Sequence, residues 1–99
     1  MRTLMKTQLP ANSGGLSAPE RFQAMRAVID GLKPEAVYFY PEHGVRTTLV
    51  VFDLKSPGDM PVIAEPLFRQ GATVEFSPVM NLDDLQAGMK TLSQVSARV

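Results

Sequence analysis

Ninety-nine residues of 10.8 kDa make one domain, residues 1–99, too small to carry a separate lid or cofactor module. Ten Lys and Arg balance ten Asp and Glu, so the chain lacks the excess positive charge expected of a nucleic-acid binder. Cysteine is absent, which excludes disulfides, thiolate nucleophiles and Cys-based metal sites, and fits a reducing compartment.

The longest apolar runs, such as Leu49-Val50-Val51-Phe52, are too short to span a membrane. Lys6 falls where a secretory signal would be apolar. A cytoplasmic domain with no membrane partner is the expectation.

The first strand is expected over about Thr3 to Leu9, with Thr3, Met5, Thr7 and Leu9 on one face and Leu4, Lys6 and Gln8 on the other. Pro10 ends it, and Ala11-Asn12-Ser13-Gly14-Gly15 reads as a connection. Its two glycines lack the Gly-Lys-Ser/Thr or the third spaced glycine of a phosphate-binding loop. Ser17-Ala18-Pro19-Glu20 is a capping box, in which the Ser17 hydroxyl accepts an orphan backbone N–H and Glu20 reaches back. Phe22, Met25, Val28, Ile29 and Leu32 then form the apolar stripe of a helix that Gly31 and Lys33-Pro34 close.

Ala36 to Tyr40 and Arg46 to Asp53 read as a hairpin across Pro41-Glu42-His43-Gly44. Its second arm is apolar on both sides, the mark of a strand covered on both faces. After Ser56-Pro57-Gly58, with Asp59 as N-cap, a helix over Met60 to Gln70 should bury Val62, Ile63, Leu67 and Phe68, kinked or interrupted at Pro66 and ended by Gly71. Thr73 to Met80 is the last strand, and Pro78 places it at a sheet edge. Asn81 caps a final helix whose Leu82, Leu85, Met89, Leu92 and Val95 make a narrow seam. Asp83 and Asp84 in its first turn favour the positive helix end rather than forming a catalytic pair.

The order β-α-β-β-α-β with an extra C-terminal helix gives an α+β domain, a ferredoxin-like four-stranded antiparallel sheet with its helices on one face. If Val37 and Phe39 meet the helices, Tyr38 and Tyr40 point to the uncovered face. An exposed apolar sheet face is unusual in a monomer, so a homodimer joined sheet to sheet is expected. The C-terminal seam then grips the neighbouring subunit or flanks its own sheet.

The stretch Glu65-Pro66-Leu67-Phe68, leading through Val74-Glu75-Phe76-Ser77-Pro78-Val79 into Asp83-Asp84, resembles small stand-alone members of the dimeric α+β barrel superfamily. It is similar in particular to a bacterial domain family of unknown function whose last strand reads Glu-x-x-Pro-Val before an acidic helix start. The resemblance covers roughly Leu4 to Leu85. The superfamily includes cofactor-independent monooxygenases, isomerases, haem-degrading enzymes and ligand-sensing domains, so it implies a homodimer without selecting a chemistry. The monooxygenases lean on tryptophan and asparagine near the substrate. Here Trp is absent, and Asn12 and Asn81 fall in a loop and a cap.

One histidine and no cysteine make a zinc site improbable, and no cofactor is expected. The catalytic candidates are His43, whose side chain titrates near neutrality, and Glu75, a general base if buried. Tyr38 and Tyr40 are the candidate ligand-binding residues, with Lys6 and Ser77 beside them on the open side. Two readings follow. One is a homodimer that holds a small apolar or aromatic molecule on the open sheet face without transforming it. The other is a cofactor-independent isomerase or monooxygenase, which requires at least two titratable groups converging on one cavity.

Overall fold

The computed structural model describes residues 1–10 and 17–96. The expected Ala11–Gly15 connection lies outside the described residues. Seven elements follow in order: β1 (Arg2–Leu9), α1 (Ala18–Leu32), β2 (Ala36–Glu42), β3 (Val45–Asp53), α2 (Asp59–Phe68), β4 (Thr73–Pro78) and α3 (Leu82–Ser96). The strands form one antiparallel sheet in the order β2-β3-β1-β4. This α+β arrangement is compatible with a ferredoxin-like fold, with α3 added to the six-element pattern.

Alternation along β1 decides the layers. Thr3, Met5 and Thr7 are buried, whereas Arg2, Leu4, Lys6 and Gln8 are half-buried on the opposite face. In register, Met5 lies beside Val50 and Phe76, and Val50 beside Val37. This row packs under Met25 and Ile29 of α1 and Leu67 of α2, forming one core. Phe52 and Phe76 meet edge to face, with ring centroids 6.5 Å apart and planes at 65°. Both helices cover this face and leave the other bare, as the pattern predicts.

Local signals place the helix starts. In α1 the Glu20 N–H donates to the Ser17 hydroxyl and the Ser17 N–H to the Glu20 carboxylate, both at 3.3 Å. In α3 the Asp84 N–H donates to Asn81 Oδ1 at 2.8 Å, and the Asn81 N–H to Asp84 Oδ2 at 3.0 Å. These are reciprocal caps of the same kind. The left-handed residue that closes α1 is Lys33 (φ 49°), with Gly31 still inside the helix.

Three expectations need correction. The hairpin connection is shorter than Pro41–Gly44. β2 runs on through Glu42, and His43 (φ 52°) and Gly44 (φ 78°) alone make the turn. Positive φ at both positions is what a two-residue type I′ turn requires, and its twist matches the strands. β2 is an edge strand, so Pro41 costs no ladder bond that another strand needs. In α2, Gly58 rather than Asp59 is the N-cap and no side chain caps it. Pro66 stays inside the helix, and only Leu67, Ala64 and the half-buried Ile63 and Met60 turn inward. Val62 and Phe68 are exposed, because the helix buries one stripe and these two lie off it. Finally, β4 ends at Pro78 rather than Met80, and it is an edge strand paired only with β1.

α3 stands apart. Every described side chain of it is exposed, and it packs against none of the other elements. It is tied down at its start by Asp84, which accepts from the Arg2 guanidinium at 3.1 Å. The chain is correspondingly elongated, 59 × 29 × 20 Å, with a radius of gyration of 16.9 Å. A compact domain of this length has a radius of gyration of about 13 Å.

Candidate functional site on the open sheet face

Three rungs cross the uncovered face from β2 to β4. Ala36–Val51–Leu4–Ser77 is the most apolar, Tyr38–Leu49–Lys6–Glu75 is mixed, and Tyr40–Thr47–Gln8–Thr73 is polar. The predicted residues Lys6, Tyr38, Tyr40, Glu75 and Ser77 therefore do share one face. Tyr38, Glu75 and Ser77 are exposed, and Lys6 is half-buried.

The structure joins two of them through a residue that the sequence reading left in a turn. Glu42, two positions beyond Tyr40 on the same side of β2, receives the Lys6 ammonium and the Gln8 amide on Oε2, the latter at 3.0 Å. Its Oε1 accepts the Tyr40 hydroxyl at 3.1 Å. Gln8 also donates to the Thr47 hydroxyl at 3.2 Å. The Lys6 contact holds the Glu42 carboxyl below its ordinary range, with Tyr40 adding to the effect. The same contact raises the Lys6 ammonium. Burial first, then the bond to Glu42, raises the Tyr40 phenol.

The chemistry of this cluster is that of a closed network. Glu42 is held ionised with both oxygens occupied, so it is a poor proton acceptor. Tyr40 is held protonated. Lys6 is held charged. None of the three is poised to exchange a proton near neutrality.

The remaining candidates are not drawn into the cluster. Glu75 lies beside Lys6 in register but makes no ion pair among the described residues, and it is exposed, so the burial that would favour a general base is missing. Arg46 sits on the opposite face of the sheet, beside Leu9 and Pro41, out of reach of Glu75. Among the described residues Ser77 donates to the Pro78 carbonyl alone, at 3.4 Å. His43 is exposed in the turn, next to Glu42 in sequence. Among the described residues, no group of three His, Cys, Asp or Glu could hold a metal ion. No described helix is long and apolar enough to cross a membrane.

A cleft of about 520 Å³ lies on the other side of the sheet, under the first turns of α1. Of the predicted ligand-binding residues, only Tyr40 borders it. Neither a protein-family model nor a curated protein matches the chain.

Proposed function

We propose that the protein is a homodimer of the dimeric α+β barrel type that holds a small, neutral, apolar or aromatic molecule at its open sheet face without transforming it. The observation that carries this reading is unsatisfied surface. The chain exposes 6868 Å², whereas a compact monomer of this mass exposes roughly 5,500 Å². The excess, on the order of 1,300 Å², is larger than the roughly 800 Å² each partner buries in a standard interface.

Two apolar parts of the surface would be covered by a twofold partner. One part is the rung Ala36–Val51–Leu4 with Leu49 and Tyr38, and the other is the seam of α3. An isolated helix of 15 residues is marginal in water, so α3 gains its stability from packing that its own subunit does not supply. Pairing the two sheets, with each α3 laid on the other subunit, answers both needs.

Binding is favoured over catalysis because Lys6, Tyr40 and Glu42 are bonded to one another and Glu75 is exposed. A neutral ligand is favoured because the Lys6 charge is already matched by Glu42, with Glu75 adding negative charge beside it. The alternative, a cofactor-independent isomerase or monooxygenase, would need His43 and Glu75 to converge on one cavity in the dimer.

Light scattering and Nile red fluorescence test the proposal together. The expected result is twice the 10.8 kDa chain mass at micromolar concentration. A blue-shifted dye signal that Tyr38→Ser together with Leu49→Ser abolishes is expected with it. A single-chain mass at every concentration, or a dye signal indifferent to those substitutions, overturns it.

A further inference from the structure

On the helix-covered face, the row next to the core departs from apolar composition. Thr48 of β3 lies between Phe39 of β2 and Thr7 of β1 in register. Both threonines are buried, Thr7 at 2% and Thr48 at 8% exposure. Neither hydroxyl has a hydrogen-bond partner among the described residues. The other two buried threonines differ: Thr3 donates to the Met1 carbonyl at 3.0 Å and Thr47 to the Val45 carbonyl at 2.9 Å. Buried hydroxyls are ordinarily paired, and a neighbouring pair left unpaired calls for a partner from outside the chain.

Thr7 and Thr48 both border the 520 Å³ cleft. Its volume falls in the range of small-molecule sites, which combine apolar walls with a few placed polar groups. Phe39 from the sheet and Phe22 from α1 line it, both exposed, and Leu9 and Met25 complete the apolar wall. Arg46 stands one rung beyond Thr48, between Leu9 and Pro41. Its guanidinium makes no hydrogen bond or ion pair among the described residues. Arg21 brings a second guanidinium to the cleft, one already engaged within the chain. No described Asp or Glu lines the cleft to offset the Arg46 charge. Aromatic walls, two open hydroxyls and uncompensated positive charge describe one chemical class.

We infer that this cleft is a second binding site, inside a single subunit, for a small planar aromatic carboxylate. Its ring lies between Phe22 and Phe39, its carboxylate meets Arg46, and a polar ring substituent or carboxylate oxygen accepts from Thr7 or Thr48. Arg suits this task because its planar fork matches a carboxylate and stacks on aromatic faces. The site faces away from the surface that the homodimer reading uses, so it stands or falls separately.

The test uses 2-naphthoate and its uncharged counterpart 2-naphthamide, followed by amide chemical shifts and calorimetry on the full chain. Naphthoate should shift the amides of Thr7, Phe22, Phe39, Arg46 and Thr48, and Arg46→Gln should weaken it roughly tenfold or more. The same substitution should leave naphthamide binding unchanged, while Phe22→Ala weakens both. Arg46 and Phe22 are exposed, so neither variant threatens the fold. A variant carrying Leu85→Ser and Leu92→Ser in α3 should still bind naphthoate. Shifts confined to Leu4, Lys6 and Tyr38, or equal affinity of Arg46→Gln and the parent chain, would overturn the inference.

Discussion

Replacing Met89 and Leu92 by aspartate puts the role of α3 to a direct test. Leu85, Met89 and Leu92 retain 41%, 52% and 53% exposure, so about half of each side chain awaits cover. Full burial of such a side chain is worth roughly 2 kcal/mol, so the three contribute on the order of 3 kcal/mol per subunit and 6 kcal/mol per dimer if they meet a partner. Losing the share of Met89 and Leu92, about 4 kcal/mol per dimer, weakens association by about a thousandfold, and the buried charges add to the loss. The assay is sedimentation of the parent and the double variant over a concentration series, with far-ultraviolet circular dichroism alongside. The variant should sediment as a monomer and lose helix equivalent to α3, while the unfolding transition of the sheet core persists. In a monomer these positions face water, and the changes would cost within about 0.5 kcal/mol. An unchanged mass with unchanged helicity would refute the reasoning.

Three further outcomes follow from the packing. Leu67→Ala, at a side chain with 0% exposure, should destabilise the domain by about 3–4 kcal/mol, whereas Phe68→Ala, one residue on and off the buried stripe, should cost under about 1 kcal/mol; chemical denaturation of both variants checks the orientation of α2. Gly44→Ala places a Cβ at φ 78° where nothing crowds it, so its cost should be the conformational term alone, about 1–2 kcal/mol in thermal unfolding. Glu42→Gln should alter the pH dependence of stability in a set direction. The depressed Glu42 carboxyl contributes above its ordinary pKa of about 4.3 and loses that contribution as pH falls through the folded value. The raised Lys6 contributes below its ordinary value of about 10.4 and loses it as pH rises through its folded one. Parent and variant should thus differ most between these limits and converge in strong acid, as followed by denaturation at each pH.

What the sequence made legible was local. Ser17 with Glu20, and Asn81 with Asp84, lie three residues apart, and short-range hydrogen bonding alone fixes those helix starts. The alternation of β1 separated Lys6 from Met5 before any partner strand was known. What it concealed depended on register. Glu42 escaped notice because Pro41 suggested a turn, and only the edge position of β2 lets the strand continue through it. Thr7 and Thr48 are 41 positions apart, and nothing in either segment announces the other; the β1–β3 pairing alone makes them neighbours. Val62 and Phe68 were misplaced because an apolar run in a short helix does not say which residues lie off its stripe.

The two faces of the sheet differ in how their polar groups are answered, and that difference assigns them different ligands. On the open face, Lys6, Gln8 and Tyr40 all terminate on Glu42, so its charge is matched and its donors are used. Such a face repels an anion through the neighbouring Glu75 and offers a neutral molecule only shape and apolar area. On the helix side, Thr7, Thr48 and Arg46 answer to nothing among the described residues, and their charge is positive. β3 makes this division possible: Val50 and Phe52 secure the core from one side, leaving Leu49 and Val51 on the other free to serve an interface. Neutral Nile red and anionic 2-naphthoate should therefore bind together without competing, and mutual displacement would show that the two faces do not act as separate sites.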